Sequence, residues 1–288
     1  MNYESLAKNR ALAWIGRPAV RCIHAVDPTR LRLRGFRGGV IPDAAFVCVY
    51  RRKYSPCVVK VVRQALALKM AVALWALDSP VSSLVEHTIG CGAGSRLRLL
   101  NYVCNALPAS ASGQLVVCDD DVIFARGGLG ELLRLTKVCG FGIAQPAHAP
   151  GSYVNHGITR ARPLTLARVT TFVESGPVVV ISSEWRSSVL PFPEGFGMGW
   201  GLDLIWADLQ KRGCRLGIVD GVSLRHLSPP AGDYEIGPEG ERLRMMLEAR
   251  SIESLLALQR TAGSWRVWQR EPPWSQMAWT VAIRGDDL

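Results

Sequence analysis

Three consecutive carboxylates, Asp119-Asp120-Asp121, follow directly on the apolar run Leu115-Val116-Val117-Cys118. At an effective dielectric of about 20, two unit charges ~4 Å apart repel by roughly 4 kcal/mol. A buried strand that ends in three such charges requires a compensating cation. A hard divalent ion is the natural one: Mg²⁺ or Mn²⁺, held by one or two carboxylates and a substrate diphosphate. Ligands of open α/β sheets also bind outside the carboxyl ends of the strands, which is where this triplet falls. A solvated acidic turn ahead of the next helix is the competing reading of the same residues.

A second constellation is Gly195-Phe196-Gly197-Met198-Gly199-Trp200-Gly201-Leu202-Asp203. Alternating glycines let a backbone approach a ligand closely. Trp200, between Gly199 and Gly201, offers a flat apolar face of the kind on which sugar rings stack. Asp203 opens an amphipathic helix with Leu202, Ile205, Trp206 and Leu209 inward and Gly213 beyond its end. A carboxylate there is either a helix cap or a general base beside a bound hydroxyl. Asp208, one turn on, is the weaker candidate for the base. His226 follows the last apolar strand and could join Asp121 at a metal, which tilts the choice from Mg²⁺ toward Mn²⁺.

The elements that must position these residues alternate. Ala45–Tyr50 reads as a buried strand with Arg51-Arg52-Lys53 at its end, where they either meet a nucleotide phosphate or base or form a solvated loop. Val58–Met70 reads as a helix and Ala71–Leu77 as a second strand running into Asp78, a candidate ribose or base contact or the start of a turn. Gly90-Cys91-Gly92-Ala93-Gly94-Ser95-Arg96 precedes a helix over 97–107, a loose version of a phosphate-cradling turn, and Arg96 joins Asp78, Asp119 and Asp120 as a candidate donor contact. Gly127–Val138 reads as a helix and Phe141–Gln145 as a strand. Residues 146–168 hold His148, His156, Arg160, Arg162 and Arg168 among Pro and Gly, either an active-site loop gripping an anionic group or a loop of surface side chains. Val169–Ser182 is strand-rich but broken at Gly176-Pro177, and Arg215–Asp220 is a further strand. The alternation predicts an α/β fold with a doubly wound, mostly parallel sheet flanked by helices.

Composition narrows the partners. The 288-residue chain is 48% hydrophobic and carries a net charge of +10, with 28 of its 34 basic residues Arg. The planar guanidinium fork suits phosphate, so anionic ligands are expected. No zinc-finger spacing, aromatic RNA-binding strand or dense basic helix is present, so no nucleic-acid partner is expected. Eight Cys without a CxxC pair read as free thiols in a reducing compartment, and the expected location is cytoplasmic. The most apolar window, Val58–Leu77, is interrupted by Lys60, Arg63, Gln64 and Lys69 and does not read as a membrane span. Residues 1–44 form a basic arm with a short apolar face (Leu6, Ala11, Trp14, Ile15). It either packs on the main domain or touches an anionic membrane at the inner face. Residues 229–288 read as a helical extension whose Trp265, Trp268, Trp274 and Trp279 either pack inward or form an acceptor or interfacial surface.

Taken together, VVCDDDV, PFPEGFGMGWGLD and the later His resemble glycosyltransferases of the GT-A fold, close to family 2, over roughly Ala45–His226. The first matches that family's Asp-x-Asp motif and the second its Gly-rich acceptor loop. The resemblance implies a domain over 45–228 that binds a nucleotide-sugar donor through Mn²⁺ or Mg²⁺. Asp119 would touch ribose or metal, and Asp121 and His226 would touch metal. Asp203 would deprotonate the acceptor hydroxyl of a glycan, lipid-linked or small-molecule acceptor, with inversion at the sugar. The family's Glu-Asp pair is here Leu202-Asp203. The acids that follow the Gly-Trp-Gly loop of galactosyltransferases are absent. A nucleotidyltransferase would need a basic Gly-rich loop after the first strand, and Tyr50-Arg51-Arg52-Lys53 has no Gly. A non-catalytic nucleotide-sugar or membrane-surface module is the third reading.

Overall fold

The structure, a computed structural model, describes residues 28–35, 42–229 and 237–274. Most of the basic arm, including its apolar face at Leu6–Ile15, and Trp279 lie outside the described residues. The described part of the arm is a short helix, α1 (Thr29–Arg34), whose Leu33 is buried in the main core.

The centre of the sheet explains the rest. Strands β1 (Ala44–Tyr50), β2 (Ala71–Ala76), β3 (Thr88–Cys91) and β4 (Gln114–Cys118) form a parallel block in the order β4-β1-β2-β3, with Cys48 opposite Cys118 and Tyr50 opposite Ala76. β1 and β4 are apolar nearly throughout because helices cover both faces. Alternate residues part to the two sides. Phe46, Cys48, Tyr50, Val116 and Cys118 pack with Val58, Val61, Val62 and Ala65 of α2 (Ser55–Ala67). Ala45, Val47, Leu115 and Val117 pack with Leu97, Leu100 and Val103 of α3 (Arg96–Asn105). Burying one such Leu or Val side chain contributes roughly 1.5–3 kcal/mol.

The other half of the sheet is mixed. β5 (Val122–Arg126), α4 (Leu129–Val138), β6 (Ile143–His148), β7 (Thr165–Thr170), β8 (Val178–Ile181), α5 (Arg186–Val189), α6 (Leu202–Leu209) and β9 (Leu216–His226) follow in the chain. β8 runs antiparallel to both β4 and β6, and β9 lies parallel to β6 and antiparallel to β7 and β5. In its interior Arg168 and Asp220 form a fully buried ion pair at 2.7 Å, with both Asp220 oxygens accepting. The extension adds α7 (Gly237–Glu248) and also a strand, β10 (Thr261–Arg266), on the edge of β7.

Several local expectations are corrected. The 122–126 segment forms a strand on β9 directly after the triplet. Gly90 and Cys91 belong to β3 rather than to a phosphate loop. A side chain at Gly90 would overlap the Trp75 ring, whose Nε1 donates to the Gly92 carbonyl at 2.8 Å. Close packing over an indole therefore accounts for that glycine. Trp265 and Trp274 are buried in the core, Trp274 stacked near Phe141 and donating to the Cys139 carbonyl, whereas Trp268 is 67% exposed. Among the described residues no helix is long and apolar enough to cross a membrane.

Candidate active site

The parallel strands bring their carboxyl ends to one edge, and the predicted donor residues meet there. Asp120 is buried and accepts from the Arg51 backbone N–H and Nε at 2.8 Å and from a terminal guanidinium nitrogen at 2.7 Å. Arg51 also lies 4.6 Å from the centre of the Tyr54 ring. The three donors from Arg51 engage both Asp120 oxygens, so the residue clips the end of β4 to the end of β1. Asp78, after β2, accepts from the backbone N–H groups of Arg52 at 3.0 Å and Ser79 at 2.8 Å. Burial pushes its carboxyl up, and those bonds together with the Arg52 charge outweigh burial and hold it below the ordinary range.

Asp119 takes the guanidinium of Arg96, at 2.8 Å from Nε and 2.7 Å from a terminal nitrogen. Burial pushes the Asp119 carboxyl up, and Arg96 opposes it. Arg96 also donates to the Ser175 carbonyl at 3.3 Å. Gly176, the next residue, leaves no room for a side chain: a Cβ would lie 2.8 Å from Asp119 Oδ2.

Asp121 is 2% exposed. Its Oδ1 lies 3.1 Å from His226 Nε2, and its Oδ2 accepts the Ser228 backbone N–H at 3.1 Å. Burial alone would raise this carboxyl. The hydrogen bond from His226, its charge and the Ser228 donor outweigh burial and hold it below the ordinary value. His226 is raised in turn, Asp121 outweighing the effect of burial.

Among the described residues no three His, Cys, Asp or Glu side chains converge as a metal shell. The trio Asp119, Asp121 and His226 is therefore not assembled; Asp121 and His226 are paired, and Asp119 is turned to Arg96. The pair still fits a divalent ion. Adjacent corners of an octahedron with ~2.1 Å bonds are about 3 Å apart, the separation of these two atoms. One carboxylate and one imidazole leave the remaining positions for phosphate oxygens and water.

The second constellation faces this edge from the other half of the sheet. Gly195, Gly197, Gly199 and Gly201 all have positive φ. Two of these sites are also sterically closed. A Cβ at Gly197 would overlap Glu239 Oε1, and one at Gly201 would lie 2.8 Å from Met246 Sδ. Both partners belong to α7, which also holds the loop through Glu239 Oε1 accepting the Met198 N–H at 3.2 Å. On the opposite side the Gly197 carbonyl accepts the Leu97 N–H at the start of α3. Half-buried Trp200 stands between Gly199 and Gly201. A Cβ at Gly199 would lie 3.5 Å from the Arg96 guanidinium, so Arg96 spans from Asp119 to the Gly-rich loop.

Asp203 lies in the first turn of α6 and is 6% exposed, its Oδ1 accepting the Leu204 N–H at 3.0 Å. Burial, with a further push from the Glu174 carboxylate, raises it to about 7. Asp208, the alternative base, is instead tied at the surface to Arg250 at 3.0 Å and Lys211 at 3.3 Å.

Two contributors, Glu174 and Ser228, escaped the sequence reading, and His148, which it names as a loop residue, lies at the end of β6. Glu174 sits in the β7–β8 connection, with Oε1 accepting from Asn155 at 2.8 Å and its backbone N–H donating to Gln145 at 2.6 Å. His148 Nδ1 lies 2.8 Å from Ser152 Oγ, which also accepts the His226 N–H at 2.9 Å. Ser228 bonds both Asp121 and the Tyr54 hydroxyl. A lone Glu between Val173 and Ser175 carries no local signal. Its role arises only when the two halves of the sheet meet.

No family model matches this chain, and no curated protein matches it by sequence. Solved structures do resemble it. The crystal structure of GalNAc-T7 with UDP, GalNAc and Mn²⁺ superposes with a TM-score of 0.52 at 11% identity, over 72% of this chain and 48% of that one. S. aureus TarS residues 1–349 give 0.48 at 12% identity, over 74% and 67%. The chain thus spans about half the length of the first of these. The fold is of the GT-A type: a mixed central sheet, with its parallel block, flanked by helices.

Proposed function

We propose that this chain transfers a sugar from a nucleoside-diphosphate sugar to an acceptor hydroxyl, with Asp203 as general base and inversion at the sugar carbon. One juxtaposition carries the reading. A carboxylate edge is compensated by cations (Asp119 with Arg96, Asp120 with Arg51, Asp121 with His226), and the Gly-rich loop that packs on Arg96 leads into a buried carboxyl, Asp203, that lacks such compensation.

Asp121 and His226 would hold Mn²⁺ or Mg²⁺, and the ion when bound would offset the charge of the leaving diphosphate. Asp78 and Asp119 would contact the nucleoside and ribose, and Arg96 the phosphates. Asp120 would act through Arg51. Trp200 would seat the acceptor ring, with Gly199 and Gly201 giving it room. Asp203 would take the hydroxyl proton as that oxygen bonds to the sugar carbon and the bond to the nucleotide diphosphate breaks. A carboxyl titrating near neutrality suits this role, because a general base works best with a pKa near the working pH. Residues 45–228 would carry donor and base, and 229–288 would brace the acceptor loop through α7.

The test is a thermal-shift series with UDP-, GDP-, dTDP- and CMP-sugars, each with and without Mn²⁺, on the wild type and Asp121→Ala. A ligand at ~100 times its Kd adds about 2.7 kcal/mol to stability. The expected result is a Mn²⁺-dependent rise for one nucleotide class that the variant lacks. No rise with any donor overturns the reading.

A further inference from the structure

The proposed metal ligand His226 is the last residue of β9, and its backbone is held differently on its two sides. Toward β5 it stands opposite Val122, and the next residue, Leu227, donates its N–H to the Asp121 carbonyl at 3.0 Å. Toward β6 the ladder runs out, because His148, opposite Leu224, is the final residue of that strand. The turn that follows takes over. Ala149 N–H donates to the Leu224 carbonyl at 2.7 Å, and Tyr153 N–H to the His226 carbonyl at 3.1 Å. The His226 N–H, which a continuing strand would have met with a carbonyl, is accepted by the Ser152 hydroxyl oxygen at 2.9 Å.

That hydroxyl has no freedom left. Its single hydrogen goes to the Tyr153 carbonyl at 2.9 Å. Its oxygen therefore accepts, both from His226 and from His148, whose Nδ1 lies at 2.8 Å and must carry a hydrogen. His148 is itself buried, with Nε2 3.7 Å from Glu174 Oε2, and Glu174 is gripped by Asn155 at 2.8 Å. Three hydrogen bonds thus fix one oxygen, and one of the three holds the backbone of His226.

We propose that Ser152 is a positioning residue that acts through His226: its hydroxyl, locked by His148 and Tyr153, fixes the backbone from which the imidazole reaches Asp121. The inference rests on Asp121 and His226 being the metal pair, with Oδ1 and Nε2 3.1 Å apart. Asp121 has matching support from Ser228, whose N–H donates to Oδ2 at 3.1 Å. Each member of the pair is therefore oriented by a residue distant from it in the chain or across the sheet, and groups that orient metal ligands are worth about 10- to 100-fold in metal affinity.

The experiment titrates Mn²⁺ alone into the full chain. Electron paramagnetic resonance reads the free ion, and broadening of the His226 imidazole ¹⁵N signal, assigned with His226→Gln, reads its site. Ser152→Ala is expected to weaken Mn²⁺ binding by about 10- to 100-fold and to move the broadening of His226 to correspondingly higher Mn²⁺. Ser152→Thr, which keeps the hydroxyl, should stay near the wild-type value. Wild-type affinity in Ser152→Ala, or equal losses in the two variants, overturns the proposal. If Ser152→Ala does not fold, Ser152→Cys decides by the same comparison, since it exchanges the hydroxyl for a weakly accepting sulfur and should show the loss. The metal reading fails separately, if the wild type binds Mn²⁺ no more tightly than Asp121→Ala does, and this proposal then falls with it.

Discussion

The two sets of carboxylates in this molecule are built from the same side chains and treated oppositely. Asp119, Asp120 and Asp121 end a buried strand, and each has a basic partner brought from elsewhere in the chain. Asp203, buried like Asp120 and Asp121, accepts from the backbone at the start of its own helix, and burial with the Glu174 charge pushes its carboxyl up. One set lies against basic side chains. The other has no basic partner, and burial raises its carboxyl to about 7. A carboxylate's chemistry is thus set by what the fold places against it, and the contrast can be tested from either side.

The largest effect should come from removing the proton acceptor. Asp203→Asn is expected to slow transfer by roughly 10²- to 10⁴-fold with donor binding intact, read by single-turnover kinetics against a nucleotide-binding isotherm. The same change should stabilise the protein at high pH. The folded chain holds the Asp203 proton up to about 7, and the unfolded chain only to about 4. Protonated Asp203 therefore favours the folded state fully below the unfolded value. That contribution is lost as pH rises through about 7. Asn does not ionise, so the variant should gain on the order of 3 kcal/mol over the wild type between pH 4 and pH 9. Denaturation curves at the two pH values measure this, and a constant difference would show that Asp203 is not raised.

Next in size is Asp121→Ala, which removes one of the two proposed metal ligands and leaves His226 unpaired. Mn²⁺-dependent nucleotide binding should fall by at least tenfold in calorimetry. Gly197→Ala should be smaller and confined to the acceptor side. It forces a side chain onto Glu239 at a positive φ, costs about 1–3 kcal/mol and lowers transfer with little change in donor affinity. Equal loss of donor binding would mean that the two constellations are not separable. The smallest effect is expected from Asp120→Asn, which weakens the clip between β1 and β4. A loss of about 1–2 kcal/mol in urea melts would fit charge-assisted bonds to Arg51.

The carboxylate edge was legible because its signal is local. A strand of four apolar residues running into three Asp constrains its own surroundings, and the Gly-rich run before Asp203 does so too. The parallel block followed from the alternation of strand and helix. β5 was missed because Val122–Arg126 is short and its partner, the end of β9, lies about a hundred residues away. Arg51 could be read as a phosphate contact or as loop, since nothing near it in sequence shows that Asp120 will claim it. Glu174 and His148 belong to the same class. Their neighbours are assembled by tertiary packing, and no window of sequence contains them together.

β9 has a consequence for how this protein is made. It is inserted between β6 and β7, which precede it in the chain, and its far end pairs with β5. Until residues 216–226 leave the ribosome, those earlier strands expose unsatisfied edges. Long-range strand insertion of this kind is slow, and open edges invite pairing between chains. The nascent polypeptide therefore passes through a sticky interval until His226 emerges, after which the outer edge of β7 still waits for β10, so the strand that delivers the proposed metal ligand also closes the gap between β6 and β7.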